Sequence, residues 1–229
     1  MTLNQTGNLL REDGSGQRHD AVFFDFDGVL ADSEAVHFRC WREILAPLEI
    51  ELEWDDYVAN CIGVSDVQML GYLASLAPVP ANGLPLTGDD LRPTYTKKKE
   101  LFRIRASEAD LFDSEVLSLI PRLNSYSLAV VTSSGRREVE PQLDRSGILP
   151  YLSAFVTGDD VKNFKPSPEP YLLAAERTGA KRPLVFEDSA TGIQSATSAG
   201  FEYIRVIKPS DLAGLIREHL ELSEAARQA

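Results

Sequence analysis

The stretch "AVFFDFDGVLADSEAVHFRCW", Ala21 to Trp41, sets a short apolar run against two acids. Ala21 to Phe24 read as a buried strand, and Asp25 and Asp27 stand at its end. Residues i and i+2 of an extended segment face the same side, so both carboxylates converge on one spot. An unpaired carboxylate there costs several kcal/mol of desolvation, so the pair needs a partner or a task. Beyond them the turn at Gly28 leads into a helix predicted from about Ser33 to Ala46, capped by Ser33 or Asp32.

Working outward, the segment from Trp54 to about Ala106 carries helical spacing (Val67, Leu70, Leu73, Leu76) and no convincing strand. From Ser114 onward, strands alternate with helices. "SLAVVT", "AFVTG", "PLVFED" and "YIRVI" read as strands. Between them lie "SGRREVEPQLDRSG", "SPEPYLLAAERTG" and "SATGIQSATSAG", which read as helices stopped by Gly147, Gly179 and Gly200. Such alternation over short loops calls for an α/β fold, a doubly wound parallel sheet. The opening strand belongs to that sheet, so the helical block is an insertion. The expected organisation is a disordered tail over 1–19, a core formed by 20–34 and 108–229, and a small all-helical domain over 35–107.

The formal net charge of −12 argues against a nucleic acid or an anionic membrane surface as partner, because both need clustered basic residues. No apolar run approaches a membrane span. Cys40 and Cys61 form neither a metal-ligand nor a redox spacing, which fits a reducing cytoplasm. A monomer is the default expectation.

Ligands of an open parallel sheet bind beyond the carboxyl ends of its strands. Four strand ends here carry notable groups: Asp25 and Asp27, Thr132 and Ser133, Lys165, and Glu187 with Asp188. Each alone has an ordinary explanation as a cap, a turn or a solvated loop; four on one edge form a unit. Two carboxylates 4 Å apart repel by about 4 kcal/mol at an effective dielectric near 20, and a divalent cation relieves this. The donors are oxygens with no nearby His or Cys, which selects Mg²⁺. Thr132 and the amides of the following helix offer an anion cradle, and Lys165 supplies a compact positive charge. Together with a carboxylate nucleophile, these are the parts that phosphoryl transfer requires. A calcium loop does not fit "DFDGVLADSE", because Gly28 falls at its fourth position and not its sixth.

With these residues in place, the sequence closely resembles the haloacid dehalogenase superfamily of phosphotransferases. "DFDGVLADS", "VVTSS", "KPSPEPY" and "FEDSATGIQSATSAG" resemble its four motifs in order, and the helical block is similar to its small cap. The branch most similar is that of β-phosphoglucomutases and sugar phosphatases, and "EAVHFRCW" and "GVSD" in the cap resemble the mutases in particular. The resemblance implies that Asp25 is the nucleophile and forms an aspartyl-phosphate. Asp27 would be the acid and then the base, a dual duty suited to a carboxyl raised by neighbouring acids. Mg²⁺ would be held by Asp25, the Asp27 main-chain carbonyl and Asp188, with Glu187 direct or through water. Thr132, Ser133 and Ser134 would hold the phosphate, and Lys165 would offset its charge. His37 and Lys98, the latter within the run Lys97–Lys99, are candidate substrate contacts from the cap side.

The implied activity is hydrolysis of a small phosphorylated metabolite, a sugar or polyol monophosphate. Two alternatives stand beside it: a hexose phosphate mutase, and a non-enzymatic phosphate- or metal-binding protein. The mutases carry an arginine directly after "GVS", where this chain has Asp66. A carboxylate there repels a second phosphate and favours the phosphatase.

Overall fold

Five parallel strands run in the spatial order β3-β2-β1-β4-β5. They are β1 Ala21–Phe24, β2 Ser127–Val131, β3 Leu152–Val156, β4 Pro183–Glu187 and β5 Glu202–Arg205. The computed structural model describes residues 18–62, 66–79 and 83–223, with the side chains at 66 and 67 excepted. Residues 1–17 of the expected tail, the "GVS" run and the Asp66 side chain lie outside the described residues. Arg18 and His19, also placed in the tail by the sequence, are packed: Arg18 pairs with Glu202 at 2.8 Å and His19 is buried.

Strand alternation sorts side chains to the two faces of the sheet. Val22, Phe24, Leu128, Val130, Leu184 and Phe186 enter one cluster. Ala21, Phe23, Ala129, Val131 and Val185 enter the other. The second face is covered by α7 (Glu169–Thr178) and α8 (Ala190–Ser198), through Tyr171, Ala174 and Ala196. The first is covered by α5 (Ser114–Leu119), α6 (Arg136–Ser146) and α9 (Leu212–His219), through Val116, Val139 and Ile216. Strands covered on both faces read as continuous apolar runs, which is why β1, β2 and β4 were legible. The helix α9 was not anticipated. Its buried Leu212, Ala213 and Ile216 fall at helical spacing and were the available signal.

The remaining helices are α1 (Glu34–Leu45), α2 (Trp54–Asn60), α3 (Asp66–Ser75) and α4 (Arg92–Glu108). They enclose a cluster of their own, including Trp41, Leu45, Tyr57, Leu70, Leu73 and Leu91. On the sheet side, Val36 and Cys40 of α1 and Phe102 and Ala106 of α4 join the core cluster instead. The returning chain is anchored where α4 ends. Arg145 of α6 donates to the carbonyls of Ala106 at 2.9 Å and Ala109 at 2.7 Å, and also to that of Ser107. Among the described residues, no helix is long and apolar enough to cross a membrane.

Leu73 is fully buried within the helical block's cluster. Leu73→Ala should therefore cost about 2–5 kcal/mol. Hydrogen exchange should place the loss in amides of α1–α4; equal acceleration in β2 would show that block and sheet open as one unit.

Candidate active site

The strand order reverses at β1. Its C-terminal neighbours sit on β2 and β4, and the crevice of an open α/β sheet lies at such a reversal. Phe24 is in register with Val130 on one side and Phe186 on the other, so three strands end at one level. The amide of Asp25 continues the ladder by donating to the Phe186 carbonyl at 3.0 Å. Asp25, Thr132, Glu187 and Asp188 are thereby delivered to one edge by backbone pairing alone.

Lys165 stands at the centre of this edge. Its ammonium donates to Asp25 Oδ1 at 2.6 Å, to Glu187 Oε1 at 2.6 Å and to the Val131 carbonyl at 2.9 Å. It also lies 4.9 Å from the centroid of the Tyr171 ring. Burial disfavours its charge, but the Asp25 and Glu187 carboxylates outweigh this and hold it protonated.

Glu187 is fully buried and its oxygens are heavily engaged. Oε1 takes Lys165 and the Tyr171 hydroxyl at 3.0 Å. Oε2 takes the amides of Asp188 and Ser189, at 3.0 and 3.1 Å, and the Ser189 hydroxyl. A Cβ at Gly192 would run into this carboxylate, and one at Gly28, where φ is +76°, into that of Asp188. These two glycines leave the space that the acids occupy.

Asp25, Glu187 and Asp188 can each offer an oxygen within 4.8 Å of the others. One ammonium among three carboxylates leaves two negative charges unmatched. Burial, with the charges of Glu187 and Asp188, pushes Asp25 well above the usual carboxylate range despite Lys165. Burial and the Glu187 charge push Asp188 up to about 7. An all-oxygen cluster short of two positive charges fits a hard divalent cation.

Asp27 is held apart from that cluster. Ser33 Oγ donates to Oδ1 at 2.5 Å, Ser134 Oγ donates to Oδ2 at 2.7 Å, and His37 Nε2 lies 3.4 Å from Oδ1. Burial pushes the carboxyl up, but the hydrogen bonds from His37, Ser33 and Ser134 outweigh it, to about 2. The raised carboxyl expected at this position is therefore found instead at Asp25 and Asp188. Ser33 was expected to cap α1; its hydroxyl makes no cap bond and serves Asp27.

His37 continues the chain of contacts. Lys98 Nζ lies 2.5 Å from Nδ1, so an ammonium donating there leaves Nε2 to carry the proton toward Asp27. Burial and the Lys98 charge push His37 down to about 4, which keeps the ring neutral. The ring stacks on Phe102 at 3.7 Å between centroids, and Lys98 is buried. His37 and Lys98, expected as substrate contacts, thus meet each other and Asp27.

Thr132 is buried and accepts the Ser134 amide on Oγ1 at 3.0 Å, while Ser133 is exposed above it. The loop after β3 braces this turn. Gly158 donates to the Ser134 carbonyl, Asp159 accepts the Arg136 amide, and Asp160 pairs with Arg136 and Arg177. Sequence reading assigned no role to Arg136, Gly158, Asp159, Asp160, Arg177, Tyr57 or Tyr171, and to Glu34 only a place in the crossing at 31–34, expected to act as a hinge.

The fold and site define an α/β protein with a buried acid–lysine centre at a sheet reversal. Residues 22–206 match the model of the family described as haloacid dehalogenase-like hydrolase, and the chain belongs to that family. It is 32% identical over 196 residues to a phosphorylated carbohydrates phosphatase of Thermotoga maritima, covering 81% of this chain and 83% of that protein. It is 33% identical over 200 residues to a phosphoglycolate phosphatase of Shigella boydii, covering 78% and 77%. The crystal structure of CbbY from Rhodobacter sphaeroides in complex with phosphate superposes with a TM-score of 0.67 at 25% identity, covering 82% and 85%.

Filling the space at Gly192 should disturb Glu187 and everything it holds. Gly192→Ala is expected to cost about 2 kcal/mol, or a fall of roughly 4–8 °C in Tm. A calorimetric scan showing an unchanged midpoint would mean that the carboxylate has room to move.

Proposed function

We propose that this chain is an Mg²⁺-dependent phosphatase that hydrolyses a small sugar or polyol monophosphate through an aspartyl-phosphate on Asp25. That it is a phosphoric monoester hydrolase of the haloacid dehalogenase-like family rests on its relatives. The observation that carries the mechanism is the pairing of two unlike aspartates, Asp25 on Lys165 and Asp27 on two serines and a histidine.

Asp25 and Asp188, with the main-chain carbonyl of Asp27, are the groups that would hold Mg²⁺, and Glu187 would support Asp188 and Lys165 from behind. When bound, the ion supplies positive charge against the phosphoryl oxygens and allows both acids to ionise together. Lys165 keeps Asp25 oriented and offsets the charge of the incoming phosphoryl group. The Thr132 hydroxyl, Ser133 and the amides opening α6 receive the phosphoryl oxygens.

In the first half-reaction a carboxylate oxygen of Asp25 attacks phosphorus, the ester P–O bond breaks, and Asp27 gives its proton to the leaving oxygen. In the second, Asp27 takes a proton from water as the water oxygen attacks phosphorus. The acyl-phosphate P–O bond then breaks, returning Asp25 and releasing phosphate. Asp27 rests as a carboxylate, the form the second half requires. The negative phosphoryl group of a bound ester raises its proton affinity, so Asp27 enters the first half carrying a proton taken from solvent and returns one to solvent after the second. Ser33 and Ser134 fix both its oxygens, and neutral His37 restrains it from the side of the helical block.

The helical block over 35–107 would act as the cap that covers the leaving group. Buried free cysteines fit a reducing cytoplasm, and a monomer suffices for every role assigned. The mutase reading needs a cationic anchor for a second phosphate. Lys98 is already engaged by His37, and Lys99 lies 3.5 Å from Glu138, which supports hydrolysis over transfer.

Asp25→Asn removes the anionic nucleophile while keeping its shape, and turnover of p-nitrophenyl phosphate with Mg²⁺ should fall at least about 10⁴-fold; activity near wild type would refute the nucleophile. Asp27→Asn should cripple turnover even of that good leaving group, because dephosphorylation still needs a base. Intact-mass spectrometry of that variant, quenched during turnover, should show a phosphorylated chain. Interconversion of β-glucose 1-phosphate and glucose 6-phosphate by the wild-type protein would promote the mutase reading.

A further inference from the structure

Glu34 has no part in the chemistry set out above, yet it stands beside it. It follows Ser33, whose hydroxyl bonds Asp27, and it opens α1 where the chain leaves the sheet for the helical block. The buried Tyr57 of α2 reaches back from that block and donates its hydroxyl to Glu34 Oε2 at 2.7 Å. Among the described residues no ion pair falls on this carboxyl. Burial, with the charges of Asp27 and Asp188, pushes it up to about 7, against the Tyr57 hydrogen bond and the more distant Lys98.

The position matters because of what must lie next to it. Asp27 protonates the leaving oxygen, so the leaving group of a phosphate on Asp25 extends from the Asp27 side toward the helical block. Glu34 is at that boundary, held in place by a residue of the block itself.

We propose that Glu34, oriented by Tyr57, is a specificity-determining residue that accepts a hydroxyl of a polyol leaving group and excludes a leaving group bearing a carboxylate. This deepens the phosphatase reading and rests on it. Above pH 7, where Glu34 is ionised, its carboxylate offers only acceptor lone pairs, and a polyol supplies neutral O–H donors to them. A carboxylate on the substrate supplies no donor, and it adds like charge beside Glu34 and Asp27. The division runs between two kinds of relative already met, one acting on phosphorylated carbohydrates and one on phosphoglycolate. On this chemistry the chain belongs with the first.

The test is the ratio of kcat/KM for sorbitol 6-phosphate to that for phosphoglycolate, in wild type, Glu34→Gln and Tyr57→Phe, so that a general loss of activity cancels. Wild type should favour the polyol ester by at least about tenfold. Glu34→Gln should lower the ratio about tenfold or more, losing on the polyol ester and gaining on phosphoglycolate. Tyr57→Phe keeps the carboxylate but frees it, and should move the ratio the same way by a smaller factor. A wild type that prefers phosphoglycolate overturns the proposal, as does a ratio shifting less than about twofold in Glu34→Gln. Should Glu34→Gln fail to fold, an unmoved ratio in Tyr57→Phe does the same. Wild-type turnover of p-nitrophenyl phosphate, which carries neither group, reports separately on the phosphatase reading. If that reading fails, calorimetric titration of both esters in the presence of Mg²⁺ still decides the preference: tighter sorbitol 6-phosphate supports the selection, and tighter phosphoglycolate removes it.

Discussion

A buried ammonium bridging two carboxylates from different strands is the interaction on which the rest of the molecule is arranged. Lys165 joins Asp25 beyond β1 to Glu187 at the end of β4, and it reaches the Val131 carbonyl at the end of β2. Withdrawing one partner from such a buried pair leaves an uncompensated charge, typically a loss of 3–5 kcal/mol. The surrounding structure answers to that demand. Tyr171, the Ser189 hydroxyl and two amides satisfy the oxygens of Glu187, and glycines at 28 and 192 make room for the acids.

The second aspartate is governed by different means. Asp27 is held by hydroxyls and a neutral imidazole, drawn from three parts of the chain: the turn before α1, α1 itself and the loop after β2. Two acids two residues apart thereby acquire opposite character, one crowded by like charges and one relieved by donors. Separation of this kind assigns distinct duties to chemically identical side chains. The imidazole is in turn fixed by Lys98 and by stacking on Phe102, both from α4, so the helical block bears directly on Asp27.

Much of this was legible in the sequence, and the reasons are specific. The apolar runs of β1, β2 and β4 are continuous because both faces are covered. The helix stops at Gly147, Gly179 and Gly200 adopt the left-handed conformation that glycine permits. Acids following apolar runs pointed to the right edge of the sheet. What stayed hidden depends on distance in space. Ser134 is 107 residues from the carboxylate it bonds, and nothing local separates a phosphate ligand from a hydroxyl serving Asp27. Glu187 reads by position as an acid near a cation, directly or through water, while the donors that also engage its oxygens, from Lys165, Tyr171 and Ser189, are revealed only by the fold. The low proton affinity of Asp27 follows from donors on three elements and could not be read from its acidic neighbours. The Glu34–Tyr57 pair required the placement of α2, which periodicity cannot supply.

The attachment at Arg145 has a consequence for how such a protein changes over generations. All three acceptors of that guanidinium are main-chain carbonyls, at Ala106, Ser107 and Ala109. Carbonyls belong to every residue type, so the exposed Ser107 can be replaced without losing its contact, whereas burial in the core fixes Ala106. Arg145, on the sheet side, ties this return together with the Asp32 amide on the Leu111 carbonyl and the Ala31–Phe112 bridge. A block proposed to cover the leaving group can then change at exposed positions while these main-chain moorings stay fast. The residues of the block that reach the sheet edge, Lys98 and Phe102 through His37 and Tyr57 through Glu34, are the ones that carry such a change to the acids.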